Sequence, residues 1–129
     1  MAKLPANVIE TIGKLKATPI ATATPNGVPN LVYIGCFRVL DEETIEIADN
    51  KFFKTRHNLE ANPVLAITVW DPEGGACFQI KGSTELVTDS TIYDECSSWV
   101  QGKTGGRLTP KAAVLLHVEE VYAGAERLV

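Results

Sequence analysis

The segment Asp49-Asn50-Lys51-Phe52-Phe53-Lys54-Thr55-Arg56-His57-Asn58 gathers the side chains best suited to hold an anion. It runs from a strand end into a helix start, so Lys51, Lys54 and Arg56 crowd the first turns of that helix. A helix start carries a partial positive charge, which makes it the unfavourable end for cations. A bound anion removes that conflict, and free backbone N–H groups at a helix start already favour phosphate. Lys54 adds a point charge and Thr55 a hydroxyl donor. The plain alternative is a solvated basic patch on a short surface helix.

Two other segments have ligand-binding chemistry. Val32-Tyr33-Ile34-Gly35-Cys36-Phe37 offers an apolar wall. A glycine inside such a strand lets another group approach the backbone, which a flat aromatic ligand needs for its polar ring edge. A core strand is the simpler reading of the same residues. In Gln79-Ile80-Lys81-Gly82-Ser83, Gln79 and Lys81 share one face of a strand. That pair reaches a ligand's polar edge or phosphate, or forms an exposed polar face. Three weaker signals are set aside. Gly102-Lys103-Thr104 resembles the end of a phosphate loop, but Ser97 stands where such a loop needs glycine, and the segment follows a helix instead of a strand. His57 and His117 lack a metal-ligand spacing, and no metal site is expected. There is no nucleophile-elbow motif, and Cys36 in an apolar strand is expected to be inert. No side chain is assigned a catalytic role.

The elements that must position these groups follow from periodicity. Val8, Ile9, Ile12 and Leu15 have helical spacing, predicting an amphipathic helix over 6–16. Strands are expected at 20–24 and 30–40, with a Pro25-Asn26-Gly27 turn between them. The second is apolar on both faces, the pattern of a strand covered on both sides. After the turn at 41–43, Ile45 and Ile47 alternate with Glu46. Asp49 or Asn50 is expected to cap a helix over about 52–61, ended by Pro63. Strands at 64–70 and 76–88 flank a turn, and a helix from Asp89 or Ser90 carries Ile92, Cys96, Trp99 and Val100. Gly102–Gly106 reads as a flexible loop, and 112–122 as a last strand. Six or seven closely spaced strands point to a mainly antiparallel sheet that closes into a barrel.

With 129 residues, 45% apolar and 22% charged, the chain suits one globular domain. A net charge of −4 disfavours a general nucleic-acid role. No apolar run reaches membrane-spanning length, and the N-terminus does not read as a signal peptide, so no membrane role is expected. Three scattered cysteines, Cys36, Cys77 and Cys96, suggest reduced thiols and a cytoplasmic protein.

So ordered, the chain resembles the flavin mononucleotide (FMN)-binding split-barrel family, which includes pyridoxamine 5′-phosphate oxidase and small bacterial FMN-binding proteins. The resemblance rests on the Ile20-Ala21-Thr22 strand, Thr24-Pro25-Asn26-Gly27-Val28-Pro29, Lys54-Thr55 followed by Asn58-Leu59 and Asn62-Pro63, and Phe78-Gln79-Ile80-Lys81-Gly82. It implies a mainly β fold with flanking helices, an antiparallel split barrel over 1–129, and a homodimer with FMN at the subunit interface. It also implies that Lys54 and Thr55 hold the FMN phosphate, that Tyr33, Ile34, Gly35 and Cys36 line the isoalloxazine ring, and that Asp49, Asn50 and Lys51 form the preceding loop. Gln79 or Lys81 is expected to contribute from the neighbouring strand, with Trp99, Leu128 and Val129 covering the ring from the other subunit. The arginine and histidine that bind substrate in a pyridoxamine phosphate oxidase have no match here, so vitamin B6 oxidation is not expected. The expected function is an FMN-dependent oxidoreductase or electron carrier with a redox partner or small-molecule substrate. A deazaflavin-dependent or other reductase on the same barrel and a non-enzymatic flavin-binding module are the alternatives.

Overall fold

In the computed structural model, which describes residues 2–129, a curled antiparallel sheet carries three helices. The order is α1 (Ala6–Lys14), β1 (Thr18–Ala23), β2 (Pro29–Ile34), β3 (Phe37–Asp41), β4 (Thr44–Asp49), α2 (Lys54–Ala61), β5 (Val64–Trp70), β6 (Cys77–Val87), α3 (Thr91–Thr104), β7 (Ala112–Ala123) and β8 (Glu126–Arg127). The strands lie in the order β2-β1-β5-β6-β7-β4-β3, with β8 beside β7. No helix among the described residues is long and apolar enough to cross a membrane.

The two outermost strands, β2 and β3, are consecutive in the chain and separated only by Gly35 and Cys36. At 3.8 Å per Cα step, Ile34 and Phe37 are at most about 11 Å apart. The ends of the sheet are therefore held together, and the sheet curls into an open barrel. The Ala48 N–H donates to the Cys36 carbonyl at 3.0 Å, securing the joint.

This corrects the expected strand over 30–40. It is two strands, because the chain bends at Gly35-Cys36. It is also not covered on both sides: in edge strand β2, Leu31 is 70% and Tyr33 77% exposed. With the short β8, the described residues form eight strands. The Gly102–Gly106 loop is corrected too, since α3 continues through Thr104.

The core fills the barrel with Ile20, Ile45, Ile47, Ile67, Ile80 and Leu116, all at most 1% exposed. Each such side chain contributes about 1.5–3 kcal/mol by leaving water. Val8 and Ile12 of α1 join them, as the helical spacing requires. At Gly82 the β6–β7 ladder shifts register, and a Cβ there would lie 1.9 Å from the His117 carbonyl oxygen. Only glycine lets the two backbones approach that closely.

Strand β4 is buried along its whole length. Ile45 and Ile47 face the barrel core, while Ala48 belongs to a second cluster with Cys96 and Val100 of α3. Glu46 is fully buried and accepts from Arg38 Nε at 2.8 Å. Trp99 of α3 lies against the Arg38 guanidinium at 4.5 Å. Helix α3 thus seals the outer side of β4 and holds the second cluster against it.

Candidate cofactor-binding cleft

A cleft of about 490 Å³ opens between β2 and the stretch from the end of β4 into α2. Eight residues expected to bind a ligand line it: Tyr33, Ile34, Gly35, Cys36, Asn50, Lys51, Lys54 and Thr55. Val32, Ala48, Phe52 and Leu108 add apolar surface, and Asn30 and Arg107 add polar groups. Three expected residues are not among the lining.

Asp49 is one of them. Its side chain is completely buried and turned into the protein. One oxygen accepts from the Phe52 backbone N–H at 2.9 Å, and the other from Arg56 Nη1 at 2.8 Å. It therefore fixes the loop that carries Asn50 and Lys51 without entering the cleft. Asp49 does not cap α2, whose N-cap position is Phe53 and has no side-chain cap. Arg56 is spent on the same pair and on Glu60 at 3.2 Å. The hydrogen bond to Asp49 raises the guanidinium pKa further, so Arg56 stays charged. One of the three cations crowding the helix start is thus neutralised by the chain itself.

Gln79 and Lys81 are the other two. Cross-strand partners share a face of the sheet. Lys81 pairs with Ala66, Ala66 with Ala21, and Ala21 with Leu31, so Lys81 lies on the same outer face as exposed Leu31. Gln79 and Lys81 are exposed there, away from the cleft of the same chain. Leu128 and Val129 pack on the chain's own core. Trp99 is held by Arg38 and by Lys103 at 5.8 Å.

The Lys-Thr-x-x-Asn stretch divides into two jobs. Asn58 donates to Thr22 Oγ1 at 3.0 Å, and Asn62 donates to the Ala23 carbonyl at 3.2 Å. These bonds clamp α2 to β1. Thr55, 3% exposed, accepts from Asn30 Nδ2 at 3.0 Å. Its hydroxyl oxygen is occupied as an acceptor, which leaves its proton to donate to an anion. Lys54 stands beside it, exposed at the cleft.

Charge pairing sorts the neighbouring cations sharply. Arg38, Arg56 and Lys111 reach carboxylates of the chain, and Lys111 also donates to the Phe52 carbonyl at 2.9 Å. Among the described residues Lys51, Lys54 and Arg107 face no carboxylate within 4 Å, and all three line the cleft. The Asn50 Oδ1 is buried without a hydrogen-bond partner. Burying such an acceptor unpaired costs about 1–3 kcal/mol. A ligand with a donor group along its length and an anionic end meets both conditions. FMN has that form, with ring and ribityl donors, a flat apolar body and a terminal phosphate, so the residues present fit it.

Sequence reasoning missed Asn30 and Arg107. Asn30 sits inside an apolar run, and only its bond to Thr55 reveals its place. Arg107 follows two glycines in a stretch whose composition reads as loop.

Near the cleft, Cys36 is 6% exposed, and behind β4 Cys96 is fully buried. Burial, reinforced by the charge of Glu46, pushes the Cys96 thiol up to about 12. It stays protonated and inert.

Comparison with known proteins agrees with this architecture. The chain is 34% identical over 105 residues to the uncharacterized protein MJ0282 of Methanocaldococcus jannaschii, covering 80% of this chain and 69% of that protein. The crystal structure of HupZ from Group A Streptococcus superposes with a TM-score of 0.81 at 27% identity, covering 97% of this chain and 94% of that one. An FMN-binding protein from Syntrophomonas wolfei has a TM-score of 0.68 at 18% identity, covering 87% and 79%. Residues 4–124 match the family model described as pyridoxamine 5′-phosphate oxidase, and the chain belongs to that family.

Proposed function

We propose that this chain is an FMN-binding flavoprotein, acting as an oxidoreductase or electron carrier, with the whole chain forming one cofactor-binding domain. The observation that carries this reading is the free Thr55 hydroxyl proton beside unpaired Lys54, at one end of an apolar-walled cleft. When bound, FMN supplies the hydride or single-electron chemistry. The chain's own residues bind and orient it. Lys54 and Thr55 hold the phosphate, and Lys51 adds to its neutralisation. Val32, Ile34 and Phe52 flank the ring. Asn50 Oδ1 accepts from a ring N–H or a ribityl hydroxyl. Asp49 fixes the loop from behind.

The functional unit in this reading is a homodimer. Leu31, Tyr33, Val64 and Trp70 are exposed at 70%, 77%, 46% and 57%. They lie on β2 and β5, on either side of β1, and exposed apolar side chains on one sheet face mark an interaction surface. A second copy on that face also covers Gln79 and Lys81, which brings them toward the partner's cofactor.

The test is an absorption spectrum of the purified protein with mass spectrometry of the ligand released on denaturation. Oxidised-flavin bands and the mass of FMN are the expected result. The Lys54→Ala, Thr55→Ala double variant should bind FMN at least about tenfold more weakly, since charge-assisted contacts each contribute about 1.5–3 kcal/mol. Unchanged affinity in a titration counts against this phosphate site. Uptake of a deazaflavin in preference to FMN favours the deazaflavin-dependent reading. Reduction of the bound cofactor by a nicotinamide separates an enzyme from a carrier or a flavin-binding module.

A further inference from the structure

The geometry points to a second anion-binding position in the cleft, formed by Arg107 and separate from Lys54 and Thr55. It receives a phosphate or carboxylate on the molecule that meets the bound cofactor, an assignment that rests on the flavin reading for what the anion belongs to.

The chain has four arginines, Arg38, Arg56, Arg107 and Arg127. Three of them face a carboxylate, at 2.8, 2.8 and 3.8 Å. Among the described residues Arg107 faces none, and it is the arginine that lines the cleft. A guanidinium presents a planar fork that matches phosphate or carboxylate with two parallel hydrogen bonds.

The backbone under Arg107 is held in place. Gly105 and Gly106 take φ values of +65° and +79°, which turn the chain off the end of α3. The Gly106 N–H donates to the Gln101 carbonyl at 2.7 Å, and the Arg107 N–H to the Thr104 carbonyl at 3.3 Å. The Leu108 N–H donates to Thr104 Oγ1 at 3.2 Å, and that hydroxyl donates to the Val100 carbonyl at 2.8 Å. Leu108 itself packs in the cluster that holds Cys36 and Ala48. A fixed backbone thus displays an unpaired guanidinium over the cleft.

Position and charge both separate it from the phosphate site. Thr55 is tied to Asn30, near the start of β2, whereas Leu108 belongs with Cys36, beyond its end. Asn30 to Ile34 alone spans about 13 Å of strand. The Thr55 hydroxyl and the backbone that carries Arg107 are thus anchored toward opposite ends of β2. A phosphate monoester carries about −1.5 to −2 at pH 7, which Lys51 and Lys54 balance between them. Arg107 is the surplus cation.

The probe is inorganic pyrophosphate, titrated calorimetrically into the FMN-loaded protein, with citrate in a parallel titration to separate phosphate from carboxylate recognition. Arg107→Ala is expected to weaken binding of the preferred anion about tenfold or more, while FMN affinity changes less than about threefold. Arg107→Lys should recover part of the loss. Equal anion binding by wild type and Arg107→Ala overturns the proposal, as does no binding of either anion by wild type at millimolar concentration. Loss of FMN affinity in Arg107→Ala as large as in the Lys54, Thr55 double variant also overturns it, placing Arg107 at the cofactor phosphate. If the wild type takes up no FMN, the flavin reading fails separately. The titrations are then made on protein carrying Lys54→Ala and Thr55→Ala. Residual anion binding that disappears with Arg107→Ala supports the second position, and its absence overturns it.

Discussion

The cleft has two walls built on opposite principles. On one side the end of β4 is buried on both faces, and the groups behind it are paired: Asp49 with Arg56, Glu46 with Arg38. On the other side β2 is an edge strand with one face buried and one face bare, showing Leu31 and Tyr33 to solvent. The sealed wall is made by the chain alone. The bare wall is left open by the single chain. Buried paired groups and exposed apolar side chains therefore lie on different strands, so substitutions on the two should fail in different ways.

The largest effect should come from the sealed wall. Asp49→Ala removes the partner of Arg56 and the acceptor for the Phe52 N–H. Breaking a buried ion pair from one side costs about 3–5 kcal/mol, and denaturant unfolding should show a loss of that size. A loss below about 1 kcal/mol would mean that the pair adds little. The contrast is Lys54→Ala, whose exposed side chain faces no carboxylate within 4 Å among the described residues. It should change stability by less than about 0.5 kcal/mol while weakening FMN binding.

The bare wall should respond in assembly instead. Leu31→Glu places a charge on the exposed apolar face and should raise the dissociation constant of the proposed dimer at least about tenfold by sedimentation. Because Leu31 is 70% exposed in the single chain, protomer stability should hardly change. A wild-type protein that sediments as a monomer at tens of micromolar, or a variant that dimerises equally well, removes the second copy from this face.

The smallest effect separates the walls by thiol chemistry. Iodoacetamide should modify Cys36 slowly, and more slowly still with FMN bound, because Cys36 lines the cleft. Cys96, pushed up to about 12 behind β4, should stay unmodified until the protein unfolds. At pH 8 only on the order of one in ten thousand such thiols is ionised. Labelling of native Cys96 at the rate of Cys36 would show that α3 does not seal β4.

Much of this was legible in the residues. Pro63 located the end of α2, although the Asp49-Asn50 cap expected at its start is not made, and the strand through Tyr33, Ile34, Gly35 and Cys36 located the opposite wall. Four things were hidden for physical reasons. Asp49 and Arg56 are seven residues apart across a loop-to-helix junction, so no helical or strand period relates them. A strand face left exposed in the single chain can carry the same apolar side chains as one in a core, so β2 reads as covered on both sides. Strand alternation placed Gln79 and Lys81 on one face but could not say which, and the register of β1, β5 and β6 decides it. Glycines around Arg107 suggest mobility in sequence, yet Thr104 and Gln101 anchor that backbone.

Helix α2 is eight residues long and has no side-chain cap at its start. A helix that short has no independent stability in water. Asn58 and Asn62 fasten it to β1, so its geometry is borrowed from the barrel. An excised peptide spanning Asp49 to Asn62 should therefore be unstructured and should not capture phosphate. The Lys54-Thr55 turn exists only while the barrel is folded, which would link any ligand bound there thermodynamically to global unfolding: at a free concentration one hundred times its dissociation constant, such a ligand should add about 2.7 kcal/mol to the stability of the whole molecule.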